Sequence, residues 1–199
     1  MKTKYYKSLR QQGFPARHAL ELARAEERDN AALQKRIGAT GFQWDDTNPF
    51  TRKHAIWHEQ GFRLEAELEI DQNGWWVYGE PYYGKFSTIY KPGALRHAPD
   101  DSRKMPWFLP ISDNPEVARH QHQRAKTYGD EWWYVILHVK AIRNGVVLGE
   151  SHLGGIETSL SNEDDDLLTR MAFEQADEAI EEAKYNLATL CSGKAEVAA

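Results

Sequence analysis

Residues 131–190 constrain the fold more than any other part of the chain. A segment of alternating side chains at 132–143 is followed by Asn144-Gly145, the pair most typical of a two-residue β-hairpin turn, and then by a second extended segment. A long stretch with apolar residues at helical spacing begins at Ser161, a favoured N-cap residue. This order predicts a β-hairpin packed against a long C-terminal helix.

Details of this hairpin and helix follow from the same pattern. A tight turn places Ala141 opposite Leu148 and His138 opposite Ser151. The three aspartates at 164–166 occupy the first helical turn, where the helix dipole favours carboxylates, so we interpret them as capping residues. The predicted buried stripe of the helix consists of Leu168, Met171, Ala172, Ala176, Ala179, Ile180, Ala183, Leu187 and Leu190.

A second hairpin is predicted at 62–78. Residues 62–71 alternate strictly between apolar and charged side chains, which is typical of a strand with one buried face. Asn73-Gly74 then supplies a two-residue turn. Its pairing directs Trp76 and Tyr78 to the outer face, beside Glu67 and Glu69. Aromatic side chains among exposed carboxylates make this face a candidate for partner binding.

The remaining segments complete an α+β prediction. Good helix formers at 16–37, preceded by a short helix at 5–12, indicate an N-terminal helical arm over 1–37. Residues 38–199 form the α+β unit, an antiparallel sheet of two or more hairpins packed against the C-terminal helix. Within it we expect the following: a short helix at 51–60, a strand at 86–90, a long surface loop at 91–112 and a helix at 115–128.

Composition restricts the class of protein. A chain of 199 residues is large enough to bury a core, and no apolar run approaches the ~20 residues of a transmembrane helix. The basic N-terminal residues lack the apolar core of a secretory signal, and Cys191 is the single cysteine. We therefore expect a cytoplasmic protein with no disulfide, no membrane association and no cofactor. The oligomeric state stays open.

Histidines supply the main candidates for metal chemistry. His54 and His58 are four residues apart, which on a helix places both imidazoles on one face at a spacing suited to zinc. A third ligand would come from Glu59, His120 or His122. Phosphate-binding glycine loops and serine-nucleophile motifs do not occur in the sequence, and no catalytic residue is assigned. A metal-dependent enzyme is thus one alternative.

Charge is distributed unevenly along the chain. Residues 1–37 contain nine Lys/Arg and four Asp/Glu, whereas residues 157–199 contain three and eleven. The basic arm raises the alternative of direct DNA binding, although Glu21 interrupts its basic stripe. The acidic face of the C-terminal helix is a second candidate for partner binding. It consists of Glu174, Asp177, Glu178, Glu181 and Glu182.

Three segments together resemble small accessory proteins encoded by phages, plasmids and integrated mobile elements. They are residues 5–20, with YYKSLR and GFPARHAL; residues 74–79, GWWVYG; and residues 153–157, LGGIE, with the acidic helix that follows. The resemblance supplies no catalytic residue. It implies an accessory protein that antagonises host defence by binding a host protein.

The leading prediction is a non-enzymatic binding protein of a mobile element, with inhibition of a nucleic-acid-targeting defence complex as its expected role. Its partner is a host protein or protein complex, contacted through the outer face of the 62–78 hairpin or the acidic face of the last helix. The metal-dependent enzyme and the DNA-binding arm are the two alternatives.

Overall fold

The computed structural model describes residues 4–45, 53–71, 83–97, 105–160 and 162–192. It confirms the α+β class, with antiparallel sheets and a long C-terminal helix packed on the larger sheet. Among the helices described, none is long and apolar enough to span a bilayer. The helices are α1 (Lys4–Gln11), α2 (Ala16–Thr40), α3 (Pro115–Thr127) and α4 (Asp165–Cys191). The strands are β1 (Lys53–Glu59), β2 (Phe62–Ile70), β3 (Lys85–Ser87), β4 (Leu95–Arg96), β5 (Trp107–Leu109), β6 (Trp133–Arg143) and β7 (Val146–Thr158).

Two hairpins share the four-stranded main sheet, whose order is β1-β2-β6-β7 with antiparallel neighbours throughout. The hairpin partner of β2 is β1, in the segment predicted as a helix over 51–60, so that prediction is wrong. Gln60 and Gly61 turn the chain with φ of 50° and 83°, the positive values that tight hairpins require. Burial alternates along β1, with Lys53, Ala55 and Trp57 inward and His54, Ile56 and His58 outward. The predicted Asn73-Gly74 turn lies outside the described residues.

The β6–β7 hairpin has the predicted turn but a different register. Asn144 and Gly145 have φ of 54° and 79°, and Arg143 pairs with Val146, which confirms the two-residue connection. A bulge at Leu148 then shifts the pairing by one residue. Ala141 consequently faces Gly149 rather than Leu148. For the same reason His138 faces His152, and the predicted pair with Ser151 is wrong.

Helix α4 covers the inner face of the main sheet. Its stripe of alanines allows close approach, so Ala179 and Ala183 lie directly over Gly149 of β7. Leu190, predicted in the stripe, is 58% exposed, because the helix extends past the sheet there. The predicted N-cap Ser161 lies outside the described residues. The buried members of the stripe are Leu168, Ala172, Ala176, Ala179, Ile180 and Ala183.

Helix α4 also protects the free edge of β7. The side-chain amide of Asn186 donates to the carbonyl oxygen of Leu148 at 2.7 Å, and Glu182 accepts from the backbone N–H of Glu150 at 2.7 Å. A second bulge falls opposite Ile136, at Gly154 and Gly155. Capped backbone groups and bulges discourage the addition of a further strand, so this edge is not a free template.

The N-terminal arm is an αα-hairpin with a small core of its own. Gly13, at φ 89°, separates α1 from α2, and the core of the hairpin consists of Tyr6, Leu9, Ala19 and Ala23. Further along α2, Leu33 and Ile37 pack against the main core instead. Helix α2 therefore connects the arm and the main unit without a break.

Residues 83–97 and 105–128 form a second layer, here named the small unit. It contains the three-stranded sheet β3-β5-β4 and helix α3, built around the fully buried Phe108. Asn114 caps α3 by accepting from the N–H groups of Glu116 and Val117, as expected from its place before Pro115. The segment predicted as a loop at 91–112 therefore contains β4 and β5.

Candidate functional site

The outer face of the main sheet, opposite α4, carries four of the candidate residues, namely His54, His58, Glu67 and Glu69. We name it the open face. Its side chains come from alternate positions of the four strands and form rows across the sheet. One row is His54, Glu67, His138 and His152; the next is Ile56, Glu65, Lys140 and Glu150; the third is His58, Arg63, Ile142 and Val147.

The first row places three imidazoles and a carboxylate abreast on four neighbouring strands. The rings of His138 and His152 lie nearly parallel, with their centres 6.2 Å apart. Glu69 lies diagonal to His138, with 3.9 Å between a carboxylate oxygen and Nε2. Glu67 makes no hydrogen bond or ion pair with the other described residues. The side chain of Glu69 is 57% exposed. Both carboxylates predicted for partner binding thus face outward.

Elsewhere on the open face, carboxylates and cationic side chains are neighbours. Arg63 forms an ion pair with Glu65, and Lys140 stands between Glu65 and Glu150 in the second row. Ile56, in the same row, is 43% exposed. The centre of the face is therefore close to neutral and partly apolar, and the uncompensated negative charge collects at Glu67 and Glu69.

The geometry required for the predicted metal pair is absent. His54 and His58 lie on a strand, where residues four apart point the same way but are separated by about 13 Å. Of the three suggested further ligands, His120 is exposed on α3, Glu59 accepts from Arg36 at 2.9 Å, and His122 contacts His97. Within the described ranges no three His, Cys, Asp or Glu side chains are arranged to hold a metal ion.

The acidic face of α4 is largely engaged within the molecule. Asp177 forms an ion pair with Arg36 at 2.6 Å, and Glu178 accepts from the hydroxyl of Ser151 at 2.7 Å. Glu182 caps the edge of β7, as described above. Glu181 pairs with Lys184 one turn away, at 2.7 Å. Glu174 alone among the five makes no hydrogen bond or ion pair with the described residues, so this face is a weaker candidate than the open face.

Two of the predicted contact residues, Trp76 and Tyr78, lie outside the described residues. The basic arm is described, and several of its cations have internal partners. Arg17 pairs with Glu21, Arg10 donates to the carbonyl oxygen of Phe14, and Arg36 pairs with the acidic face of α4. The part of the arm within residues 4–45 is a two-helix hairpin. These contacts do not favour a nucleic-acid-reading surface there.

A cluster around Glu157 bounds the open face at one end, and no sequence motif indicated it. The carboxylate of Glu157 accepts from the hydroxyls of Tyr83 at 2.7 Å and Tyr134 at 2.9 Å, and from the guanidinium of Arg124 at 2.7 Å. The guanidinium also lies 3.9 Å from the ring centre of Trp132. Burial, and then the hydrogen bond to Glu157, raise the pKa of Tyr134. The cluster fastens the small unit to β6 and β7.

No family model, no curated protein and no solved structure matches the chain.

Proposed function

We propose that the protein is a non-enzymatic binding protein that docks a partner protein on the open face. The observation that carries the proposal is the pair Glu67 and Glu69, which face outward beside a central row that includes the exposed Ile56. No described Lys or Arg pairs with either carboxylate, and Glu69 lies 3.9 Å from the imidazole of His138. The imidazoles lie side by side on a sheet surface rather than around a cavity. That arrangement suits a broad macromolecular surface better than a small substrate.

The open face is smaller than one side of a stable interface, so a partner docked on it would also contact residues beyond it. Four strands span about 14 Å, and the three rows with Glu69 extend about 20 Å along the strands. The resulting area of roughly 300 Å² is less than half of what one side of a stable interface buries. Val147, 43% exposed, ends the third row of the face, and Val146, next to it at the hairpin tip, is 56% exposed. A partner reaching this tip would gain apolar area next to the polar face.

The charge of the face indicates the chemistry of the partner. The open face has four carboxylates and two cationic side chains. This excess of negative charge favours a partner surface that presents Lys or Arg opposite Glu67 and Glu69. The resemblance to accessory proteins of mobile elements adds the proposal that this partner is a host protein that belongs to a nucleic-acid-targeting defence complex.

Affinity capture with two matched double variants tests the proposal. E67K/E69K reverses the charge of the open face, whereas E27K/E131K makes the same charge change at two exposed carboxylates elsewhere. We expect the wild type and E27K/E131K to recover the same partner and E67K/E69K to lose it. Urea unfolding of all three proteins checks that the fold is intact. Equal recovery by both variants would refute docking on the open face.

A further inference from the structure

The small unit has a core that consists mainly of rings, and two of the rings are histidines. Phe108 is fully buried, and the ring of His122 stacks on it with a centre-to-centre distance of 4.9 Å and an angle of 20°. His97, 9% exposed, lies 4.5 Å from the ring centre of Phe86. The two histidines come from different parts of the small unit. His97 follows β4, and His122 is on α3.

A single hydrogen bond joins the two imidazoles. Nδ1 of His97 and Nε2 of His122 are 3.1 Å apart, so one nitrogen donates its proton and the other accepts it. A proton added to the acceptor nitrogen turns this contact into two N–H groups facing each other. The bond is thus incompatible with full protonation of both rings.

The surroundings of His122 oppose a positive charge. Burial among Phe86, Phe108 and His97 comes first, and the positive charge of Lys126, one turn along α3, adds to it. Together, burial, His97 and Lys126 lower the pKa of His122 from its ordinary value of 6.5. A lowered pKa means that the folded small unit binds this proton less readily than the unfolded chain does. Its stability is therefore complete above about pH 6.5 and is lost as the pH falls through the lowered value.

We infer that the hydrogen bond between His97 and His122 is an acid-sensitive latch, which holds the three-stranded sheet against α3 and opens when both rings are protonated. The other attachments of α3 do not depend on a histidine. Arg124 remains bound to Glu157, and Trp132 donates to the carbonyl oxygen of Arg124 at 2.8 Å. Gln121 of α3 also accepts from the N–H groups of Ile111 and Ser112, at 3.1 and 3.2 Å, so the chain after β5 stays attached to the helix. Opening therefore releases the part of the sheet that carries His97, strands β3 and β4, while α3 stays on the main sheet.

Hydrogen exchange followed by mass spectrometry tests the latch in the full chain. Protection factors, corrected for the intrinsic pH dependence of exchange, are compared at about pH 7.5 and about pH 5, on either side of the ordinary histidine pKa. EDTA is present throughout to exclude adventitious metal. We expect residues 85–97 to lose protection about tenfold at the lower pH, the factor that corresponds to one part-buried hydrogen bond. Residues 111–112, bound to Gln121, and strands β2 and β6 should keep their protection.

Two substitutions on the same helix separate the latch from general acid effects. H122Q keeps a side chain that can hydrogen-bond to His97 but does not titrate, and H120Q removes an exposed histidine two residues away. We expect the pH dependence to disappear in H122Q and to persist in H120Q. An unchanged loss of protection in H122Q, or no loss in the wild type, would overturn the inference.

A spectroscopic measurement covers the case in which H122Q disturbs the small unit already at neutral pH. The ring proton shifts of His122 in the wild type are followed by NMR between about pH 8 and about pH 4.5. We expect the midpoint of this titration to lie below the ordinary value and to coincide with the loss of exchange protection. Titration of His122 without any opening of β3 and β4 would contradict the latch.

Discussion

Replacing Gly149 by alanine should destabilise the protein strongly, because α4 crosses β7 at this residue. A Cβ atom added there lies 2.7 Å from the backbone nitrogen of Ala183 and closer still to the carbonyl oxygen of Ala179. Both are helix backbone atoms, so the helix must move by roughly 1 Å to restore ordinary contact. Overpacking of this kind costs about 1–3 kcal/mol. The shift also weakens two hydrogen bonds that cap the β7 edge, worth about 1 kcal/mol each.

The expected loss is therefore about 3 kcal/mol, which for a chain of this size corresponds to a fall in Tm of about 6–12 °C. Urea unfolding followed by far-UV circular dichroism measures the change. Gly154→Ala is the matched control on the same strand, since its Cβ meets only the Cγ1 atom of Ile136, at 3.9 Å. We expect that control to stay within about 1 kcal/mol of the wild type. If Gly149→Ala proves no more destabilising than Gly154→Ala, α4 does not pack on β7 as closely as described.

Three further substitutions follow from single contacts. Arg36→Ala removes a side chain that bridges β1 and α4, and it should lower the free energy of unfolding in urea by about 1–2 kcal/mol. Arg17→Ala removes an exposed i,i+4 pair and should lower it by less than about 0.5 kcal/mol. Asp164 is partly buried, which opposes ionisation, but hydrogen bonds from neighbouring hydroxyls and an N–H outweigh this and lower its pKa. The stabilisation by Asp164 is therefore present above about pH 4 and is lost in acid. Asp164→Asn should cost about 1–2 kcal/mol at neutral pH and make stability depend less on pH in the acid range. Asp166→Asn should have neither effect. Because the pKa of Tyr134 is raised, its protonated hydroxyl stabilises the fold below about pH 10, and this stabilisation is lost as the pH rises further. In an alkaline titration monitored by fluorescence, the Tyr134→Phe variant should therefore lose less stability than the wild type.

Local sequence signals were sufficient for the parts of the fold whose cause is local. Asn144-Gly145 forms a tight turn because both residues tolerate positive φ. The alternation of β2 and the apolar stripe of α4 reflect one buried face each, and both are confirmed. The helix predicted to begin at 115 is also found, and Asn114 caps it.

Structural features that arise from tertiary contacts could not be predicted from the local sequence pattern. The segment 53–59 is too short for its apolar residues to distinguish a period of two from a helical period, and the helix expected over 51–60 is a strand instead. The bulge at Leu148 coincides with the close approach of α4 to Gly149, a contact between residues far apart in sequence. Strands of two or three residues, such as β4, carry no measurable periodicity.

The candidate site likewise has some features with a local cause, which could be predicted, and others that depend on distant segments. The outward direction of Glu67 and Glu69 follows from the period of one strand and was predicted correctly. Their neighbours His138 and His152 depend on strand order and on the shifted register, which the sequence pattern does not contain. The carboxylates of α4 are candidates for partner binding in the sequence, since their internal partners, Arg36 among them, come from distant segments.

Strand β2 shows why binding and stability can be altered separately in this fold. Its inward residues, Leu64, Ala66 and Leu68, are completely buried, so truncating a leucine there would cost several kcal/mol through lost burial and a cavity. Its outward carboxylates contribute charge to the open face but no volume to the core. A substitution at Glu67 therefore reports on the partner, and a substitution at Leu68 reports on the fold, although the two side chains are adjacent in the chain. Because the strand separates the two effects, a loss of partner binding at Glu67 without a loss of stability would assign the open face its role directly.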